Sequence, residues 1–350
     1  MRLEGIRRIA VIRRDGIGDM LNSTPAIDSL RLSYPGAEII VLCKPVQADL
    51  LHNNPSVDLI IPVDPSTTAG KLDFIRALRR FRPNLAISLQ NAWLTNLAAG
   101  LSGAEHRAGW KGKRFSSLLN IKADYRYAKG ERHEAARNLD LIKLVCHRLA
   151  PLRPRLYLTD EELGVGWEIL KVEGLRPDRP WCAIHPGGSS PDKLWTPEGF
   201  ARIGEMVRER LGMDVALIAG PREKRIAERI ASMMRFSPPI LLPENVRVLG
   251  SILKHASLLI CNDSGPMHIA AALGVPTVAI FGPTDHVRWA PLNERARIVR
   301  RRMPCFPCSA HKCKRGYECI KALPAEEVWR GVVEVVEGAE HTGDRLLEDR

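Results

Sequence analysis

Short apolar runs alternate along this chain with longer stretches whose apolar residues recur every three or four positions. In the first half the runs fall at Arg8–Arg13, Glu38–Leu42, Leu59–Val63, Leu85–Leu89 and, more briefly, Arg107–Trp110. They read as buried strands. Pro25–Ser33 and Lys71–Phe81 carry the helical period between them. In the second half the predicted strands are Cys182–His185, Val215–Ala219, a short Arg247–Leu249, Leu258–Cys261 and Thr277–Phe281. The predicted helices there are Pro197–Leu211, Arg222–Met233, Pro266–Leu273 and Ala325–Val336. Strand alternating with helix predicts a parallel sheet covered by helices on both faces. The alternation runs twice, with a break in the Pro- and Arg-rich stretch Pro151–Leu156. Two domains are expected, 1–155 and 156–337, followed by a loose polar tail over 338–350.

Each half reads as Rossmann-like, and the two are expected to face each other across a cleft. Open parallel sheets bind ligands outside the carboxyl ends of their strands. That rule selects the loops at 14–22, 90–94, 185–195, 220–224 and 262–268. In the first, "RRDGIGDMLNSTPAI", Asp15 and Asp19 bracket two glycines at a strand-to-helix turn. Both can be helix-start caps. Asp19, beside Gly18, can instead serve as a general base toward an acceptor hydroxyl. The stretch "LLICNDSGPMHIAAALG" ends a strand at Asn262-Asp263 and starts a helix at Ser264-Gly265-Pro266. A helix start of this kind attracts anions through free backbone N–H groups. Asp263 can accept from sugar hydroxyls, and His268 lies on the first turn. "IHPGGSSPDKLW" supplies a second anion-friendly loop, with Gly187, Gly188, Ser189 and the cation Lys193. Glu223 either accepts from a ribose or only stabilises a helix start.

Three searches exclude chemistry. "DGIGDM" does not match G-x-G-x-x-G, and no G-x-x-x-x-G-K-[ST] occurs, so the dinucleotide and phosphate-loop signatures are missing. No D-x-D occurs either, so no metal held by such a pair is implied.

Charge adds a partner. Of the net +12 carried by 350 residues, residues 1–150 hold +9, from 23 Lys+Arg and 14 Asp+Glu. A basic half suits a phosphorylated ligand or an anionic membrane surface, unless it serves only solubility. Nucleic acid is disfavoured by the lack of zinc-finger spacing and of an aromatic RNA-binding signature. The opening residues lack the apolar run of a secretory signal. No stretch approaches the roughly 18 apolar residues of a membrane helix. The expectation is a cytoplasmic protein.

Together "IAVIRRDGIGDMLNSTPAIDSLR", "IHPGGSSPDKLWTPEGFARI" and "CNDSGPMHIAAALGVPTVAIFGPTD" resemble the family 9 glycosyltransferases, the ADP-heptose:lipopolysaccharide heptosyltransferases. The resemblance spans about residues 7–335 and implies a two-domain GT-B fold. It implies inverting, metal-independent transfer of heptose from ADP-heptose to the lipopolysaccharide inner core, with no cofactor. The acceptor would be lipid A–Kdo or a partial core, met at the inner face of the inner membrane. The family's base falls on Asp19 and its diphosphate-binding lysine on Lys193. Its donor-binding motif falls on Asp263, Ser264, Gly265 and His268, and its ribose-binding glutamate on Glu223. Arg13, Lys44, Arg107 and Lys111 are acceptor candidates chosen on charge. Two rivals stay open on the sequence: a GT-B transferase using another nucleotide sugar, and a non-catalytic nucleotide- or polyanion-binding protein.

Of eight cysteines, Cys43, Cys146, Cys182 and Cys261 sit singly in apolar runs and read as core residues. Cys305, Cys308, Cys313 and Cys319 are spaced C-x2-C-x4-C-x5-C. That spacing fits reduced packing thiols, a structural zinc site or, least well in a cytoplasmic protein, a disulfide.

Overall fold

The computed structural model describes residues 3–176, 178–306, 308 and 313–338. The chain divides into two compact units, Met1–Tyr157 and Leu158–Arg350. The first unit contains six strands: β1 (Arg8–Ile12), β2 (Glu38–Cys43), β3 (Leu59–Pro62), β4 (Leu85–Ser88), β5 (His106–Trp110) and β6 (Ile121–Ala123). All pair in parallel, in the order β3-β2-β1-β4-β5-β6. The second contains β7 (Trp181–His185), β8 (Asp214–Ile218), β9 (Ile240–Leu241), β10 (Leu258–Asn262), β11 (Thr277–Ile280) and β12 (Ala296–Val299). These too are parallel, in the order β12-β11-β10-β7-β8-β9. Each unit is therefore a doubly wound α/β fold, as the alternating pattern predicted.

The central strands are buried almost throughout because helices cover both their faces. In the first unit Ala10, Ile12, Ile40 and Leu42 pack against Phe74, Leu78 and Phe81 of helix Thr68–Phe81. In the second, Ile184, Leu217, Ile260 and Val278 meet Phe200 and Ile203 of helix Pro197–Leu211, and Val328 and Val332 of helix Ala325–Val336. Those two helices have the bounds read from the sequence. Thr196 caps the first through Gly199 N, and Gly212, at φ +63°, ends it in the left-handed conformation that glycine tolerates best.

One predicted strand is a helix. Arg247–Leu249 lies inside helix Val246–Lys254. Asn245 accepts from both Arg247 N and Val248 N, fixing the first turn, and Leu249, Ile252 and Leu253 bury at helical spacing. The strand beside β8 is instead Ile240–Leu241, set between prolines that mask so short a run. Strands β6 and β12 and the helices Pro45–Asp49, Trp93–Leu101, Glu134–Ile142 and Asp160–Val172 were not predicted, while the helical turn expected at Asp19 is helix Ile17–Leu21. The expected loose tail over 338–350 lies outside the described residues apart from Gly338. Among the described residues no helix is long and apolar enough to cross a membrane.

Candidate functional site

In both units the groups with chemical potential gather where the winding reverses, between β1 and β4 and between β7 and β10.

In the first unit the chain leaves β1 at Arg13, turns through Gly16 and enters helix Ile17–Leu21. Arg13 is 1% exposed, and each of its five N–H bonds has an acceptor. Nε donates to Asp15 Oδ1 at 2.6 Å, Nη1 to Leu89 O and Asn138 Oδ1 at 3.1 Å each, and Nη2 to Asp19 Oδ1 at 2.7 Å and Glu134 Oε1 at 3.1 Å. A guanidinium has five such donors and no more. Arg13 is therefore corrected from acceptor contact to interior clamp: it has neither exposure nor a donor left for a ligand. Burial works against its charge, but Asp15, Asp19 and Glu134 outweigh that cost and hold it protonated.

Asp19 reaches back along its own helix, and its Oδ2 accepts from Gly16 N at 3.0 Å. Its side chain stays about one-fifth exposed. The carboxylate is thus fixed at both oxygens yet open to a ligand. A side chain at position 16 would crowd it, since a Cβ there would lie 2.9 Å from Asp19 Oδ2. Burial pushes the Asp15 carboxyl up to about 6; Arg13 opposes the rise and the charge of Asp19 adds to it. Gln47 Nε2 donates to the Asp15 carbonyl, closing the turn from helix Pro45–Asp49.

The other first-half candidates separate. Lys44 caps that helix just past the carboxyl end of β2, and Lys111 is exposed just past the carboxyl end of β5. Arg107 sits at the opposite, amino end of β5. Its guanidinium donates to the carbonyls of Leu118, Ala104 and Glu105. It is corrected to a brace on the far edge of the sheet.

In the second unit Asn262, at the end of β10, is fully buried and holds the loop after β7. Its Oδ1 accepts from Trp195 N at 3.1 Å, and its Nδ2 donates to Pro186 O at 2.8 Å and Gly187 O at 3.2 Å. Trp195 anchors the far end of the loop, buried and donating through Nε1 to Leu323 O. Gly187, Gly188, Ser189 and Lys193 ride on this loop. Lys193 Nζ lies 2.8 Å from Asp263 Oδ2, with the Asp263 side chain only 5% exposed. Ser264 is the N-cap of helix Gly265–Leu273 and its side chain makes no cap bond; it turns back to the Asn262 carbonyl instead. Gly265 and Pro266 then open the helix, which leaves its positive end free of a side-chain cap. His268 is buried, edge-on to Trp289.

Glu223 stands beside the same loop. Its Oε2 accepts from Gly220 N at 2.8 Å and lies 3.4 Å from His185 Nε2. The His185 contact, opposed by burial and helped by Gly220 N–H, holds its carboxyl down at about 2. A side chain at position 187 would displace Glu223, because a Cβ would fall 2.2 Å from its Oε1. His185 itself is buried, and its Nδ1 has no hydrogen-bond partner among the described residues.

The sequence reading missed three members of these clusters. Glu134 and Asn138 have a readable signal, two polar residues one helical turn apart in a stretch that is otherwise packed inward. His185 ends β7 immediately before the glycine loop, a position that points it at the same place. The clustered cysteines give less. No disulfide joins them among the described residues. Among the described residues no group of three or more His, Cys, Asp or Glu is placed to hold a metal ion, while burial and the nearby Cys313, Cys305 and Cys308 push the Cys319 thiol up.

The chain as a whole is similar to known proteins. Lipopolysaccharide heptosyltransferase 3 of Escherichia coli K12 is 28% identical over 343 residues, covering 89% of this chain and 93% of that protein. Two solved structures share the fold. The family 9 glycosyl transferase of Veillonella parvula superposes with a TM-score of 0.82 at 20% identity, covering 95% of this chain and 97% of its own. The E. coli ADP-heptose lps heptosyltransferase II gives 0.77 at 23%, covering 95% and 99%. The architecture is accordingly the GT-B fold that the motifs implied. Residues 71–317 match Glycosyltransferase family 9 (heptosyltransferase), and with most of the chain inside that match, the protein belongs to glycosyltransferase family 9, the heptosyltransferases.

Proposed function

We propose that this glycosyltransferase moves heptose from ADP-heptose to the lipopolysaccharide inner core by one inverting displacement. The unit Met1–Tyr157 serves the acceptor and the unit from Leu158 serves the donor. The observation that carries the reading is the Asp19 carboxylate, fixed by Arg13 and by Gly16 N–H yet still partly exposed. A cap alone has no need of a buried arginine. A base does, because its lone pair must be aimed.

Asp19 takes the proton of the acceptor hydroxyl. The freed oxygen attacks the anomeric carbon on the face opposite the diphosphate, and ADP leaves with the bonding pair. Lys193 and the uncapped start of helix Gly265–Leu273 meet the charge that grows on the leaving oxygen. That cation and helix dipole stand where a metal would otherwise be needed, so the reading asks for none. Gly187 and Gly188 let the diphosphate approach the backbone, with Ser189 beside them. Glu223, fully ionised and aimed by Gly220 N–H, accepts from ribose hydroxyls. Asp263 holds Lys193 in register until the donor arrives, and His268 packs beneath the helix start.

The basic surface of the first unit, including Lys44 and Lys111, faces a phosphorylated lipid acceptor and the anionic inner face of the inner membrane. The test is direct. The protein is incubated with ADP-heptose and defined truncated core acceptors, and the product linkage and anomeric configuration are read by NMR. An inverted heptoside formed equally well in EDTA supports the reading. Transfer only from another nucleotide sugar, or only with a divalent metal, overturns it.

A further inference from the structure

Glu134 has no part in that mechanism, yet it buries a carboxyl group at 3% exposure. Its Oε1 lies 3.1 Å from Arg13 Nη2, the same nitrogen that Asp19 uses at 2.7 Å. Asp15 takes Nε of the same guanidinium at 2.6 Å. Three carboxylates converge on one guanidinium and crowd like charges around it. In a buried setting that is costly, and a shared proton relieves it. Burial and the nearby Asp19 charge raise the Asp15 carboxyl to about 6, against the pull of Arg13.

The helix that carries Glu134 also braces the backbone of the turn. Asn138 Nδ2 donates to the Asn22 carbonyl at 3.0 Å, at the end of helix Ile17–Leu21, while its Oδ1 accepts from Arg13. Ser23 Oγ donates to the Asp19 carbonyl at 2.8 Å. Other charged groups on the elements around the cluster are Arg14 on the loop, Lys44 and Asp49 at helix Pro45–Asp49, and His133 and Arg137 at helix Glu134–Ile142. Arg137 stacks over Tyr125 and Tyr127. The charged groups that weigh most on Asp15 are Arg13 and Asp19.

We infer that Glu134 and Asp15 are positioning residues for the base: gathered on Arg13, they aim the Asp19 carboxylate and hold, with it, the proton taken from the acceptor. The inference rests on Asp19 being the base. In the step the acceptor O–H bond breaks and its oxygen bonds to the anomeric carbon. The bond from that carbon to the phosphate oxygen breaks, its electron pair leaves with ADP, and the proton stays in the cluster. Neutralising one carboxylate removes repulsion that favours the protonated cluster. The cluster then gives up its proton at lower pH and is a weaker base.

The experiment is the pH profile of kcat/KM for wild type, Glu134→Gln and Asp15→Asn, with ADP affinity by calorimetry and Tm alongside. Glu134→Gln keeps an oxygen for Arg13 and loses only the charge. Its acid limb is expected to move down by about one pH unit. Its kcat is expected to fall on the order of tenfold, with ADP affinity unchanged because the donor residues lie in the other unit. An acid limb that stays in place overturns the inference, whether or not kcat falls, since a loss without the shift is a packing defect. If Glu134→Gln does not fold, Asp15→Asn carries the same expected shift, and an unmoved limb there overturns the inference equally. Asp19→Asn separates the two readings. Retained turnover in that variant removes the base assignment itself. Lost turnover, together with an unmoved limb in Glu134→Gln, removes only the present inference.

Discussion

Asn262 offers a test in which a single atom changes. Its side chain is fully buried and makes three hydrogen bonds, all to the backbone of the loop that carries Lys193. Truncation to alanine leaves Trp195 N–H and the carbonyls of Pro186 and Gly187 without their partner. Each buried group so orphaned costs about 1–3 kcal/mol before the loop relaxes toward water. A net loss of about 3 kcal/mol is expected for Asn262→Ala, which in a domain of this size lowers Tm by roughly 6–12 °C. Asn262→Asp should be worse despite its identical shape. Its second oxygen would stand 2.8 Å from the Pro186 carbonyl and 3.2 Å from that of Gly187, acceptor against acceptor, and it would bring a buried charge. Thermal melts and ADP calorimetry on the three proteins decide the matter. The expected order of Tm is wild type, then Asn262→Ala, then Asn262→Asp, with ADP affinity falling in the same order as the Lys193 loop loosens. An Asn262→Asp protein that melts within about 2 °C of wild type, a shift worth under 1 kcal/mol, would show that the amide does not hold this loop.

Lys193→Ala should weaken ADP binding on the order of tenfold or more and lower kcat as well, because the cation matters most as the leaving oxygen gains charge. It should also lower Tm by stranding the buried Asp263, and adding Asp263→Asn should restore Tm without restoring ADP affinity; unchanged ADP affinity in Lys193→Ala would remove it from the phosphate site. The Glu223 carboxyl is held at about 2 against an ordinary 4.5. Its contribution to stability is therefore complete above pH 4.5 and is lost as pH falls toward 2. Glu223→Gln should flatten the decline of Tm over that window, and an unaltered decline would show that the His185 contact contributes nothing. Gly187→Ala places a Cβ 2.2 Å from Glu223 Oε1 and 2.7 Å from His185 Cε1, so ADP affinity should fall severalfold by titration calorimetry, and an affinity equal to wild type would mean that Glu223 does not touch the nucleotide.

The sequence made the strong elements legible because their signals are local. Helix Pro197–Leu211 has a capping threonine, a first-turn proline and a terminal glycine, and its bounds follow from those residues. The run Arg247–Leu249 misled because three apolar or amphipathic residues fit either period; the deciding signal, Asn245 before it and Ile252-Leu253 after it, lies outside the run. Among site residues, those on glycine-rich turns were visible as candidates. Arg13 was visible only as a positive charge. Its interior placement depends on Leu89, Glu134 and Asn138, which are distant in sequence, and no local pattern encodes a guanidinium with five separate partners. Arg107 was misread for a different reason: it was chosen on charge, although a strand running from Arg107 to Trp110 already sets it at the amino end, away from the carboxyl ends where ligands bind.

The two sheets have the same winding. Counting the strands of each unit from its own first one, both run 3-2-1-4-5-6. A fold repeated in this way offers a nucleotide two equivalent berths, and shape alone gives little ground for choosing between them. Charge breaks the tie. One berth is walled by Asp15, Asp19 and Glu134 around a saturated arginine, and a diphosphate arriving there is repelled. The other offers Lys193 and an uncapped helix start, and the same diphosphate is drawn in. On the proposed division of labour, charge alone then suppresses misloading, without a steric gate.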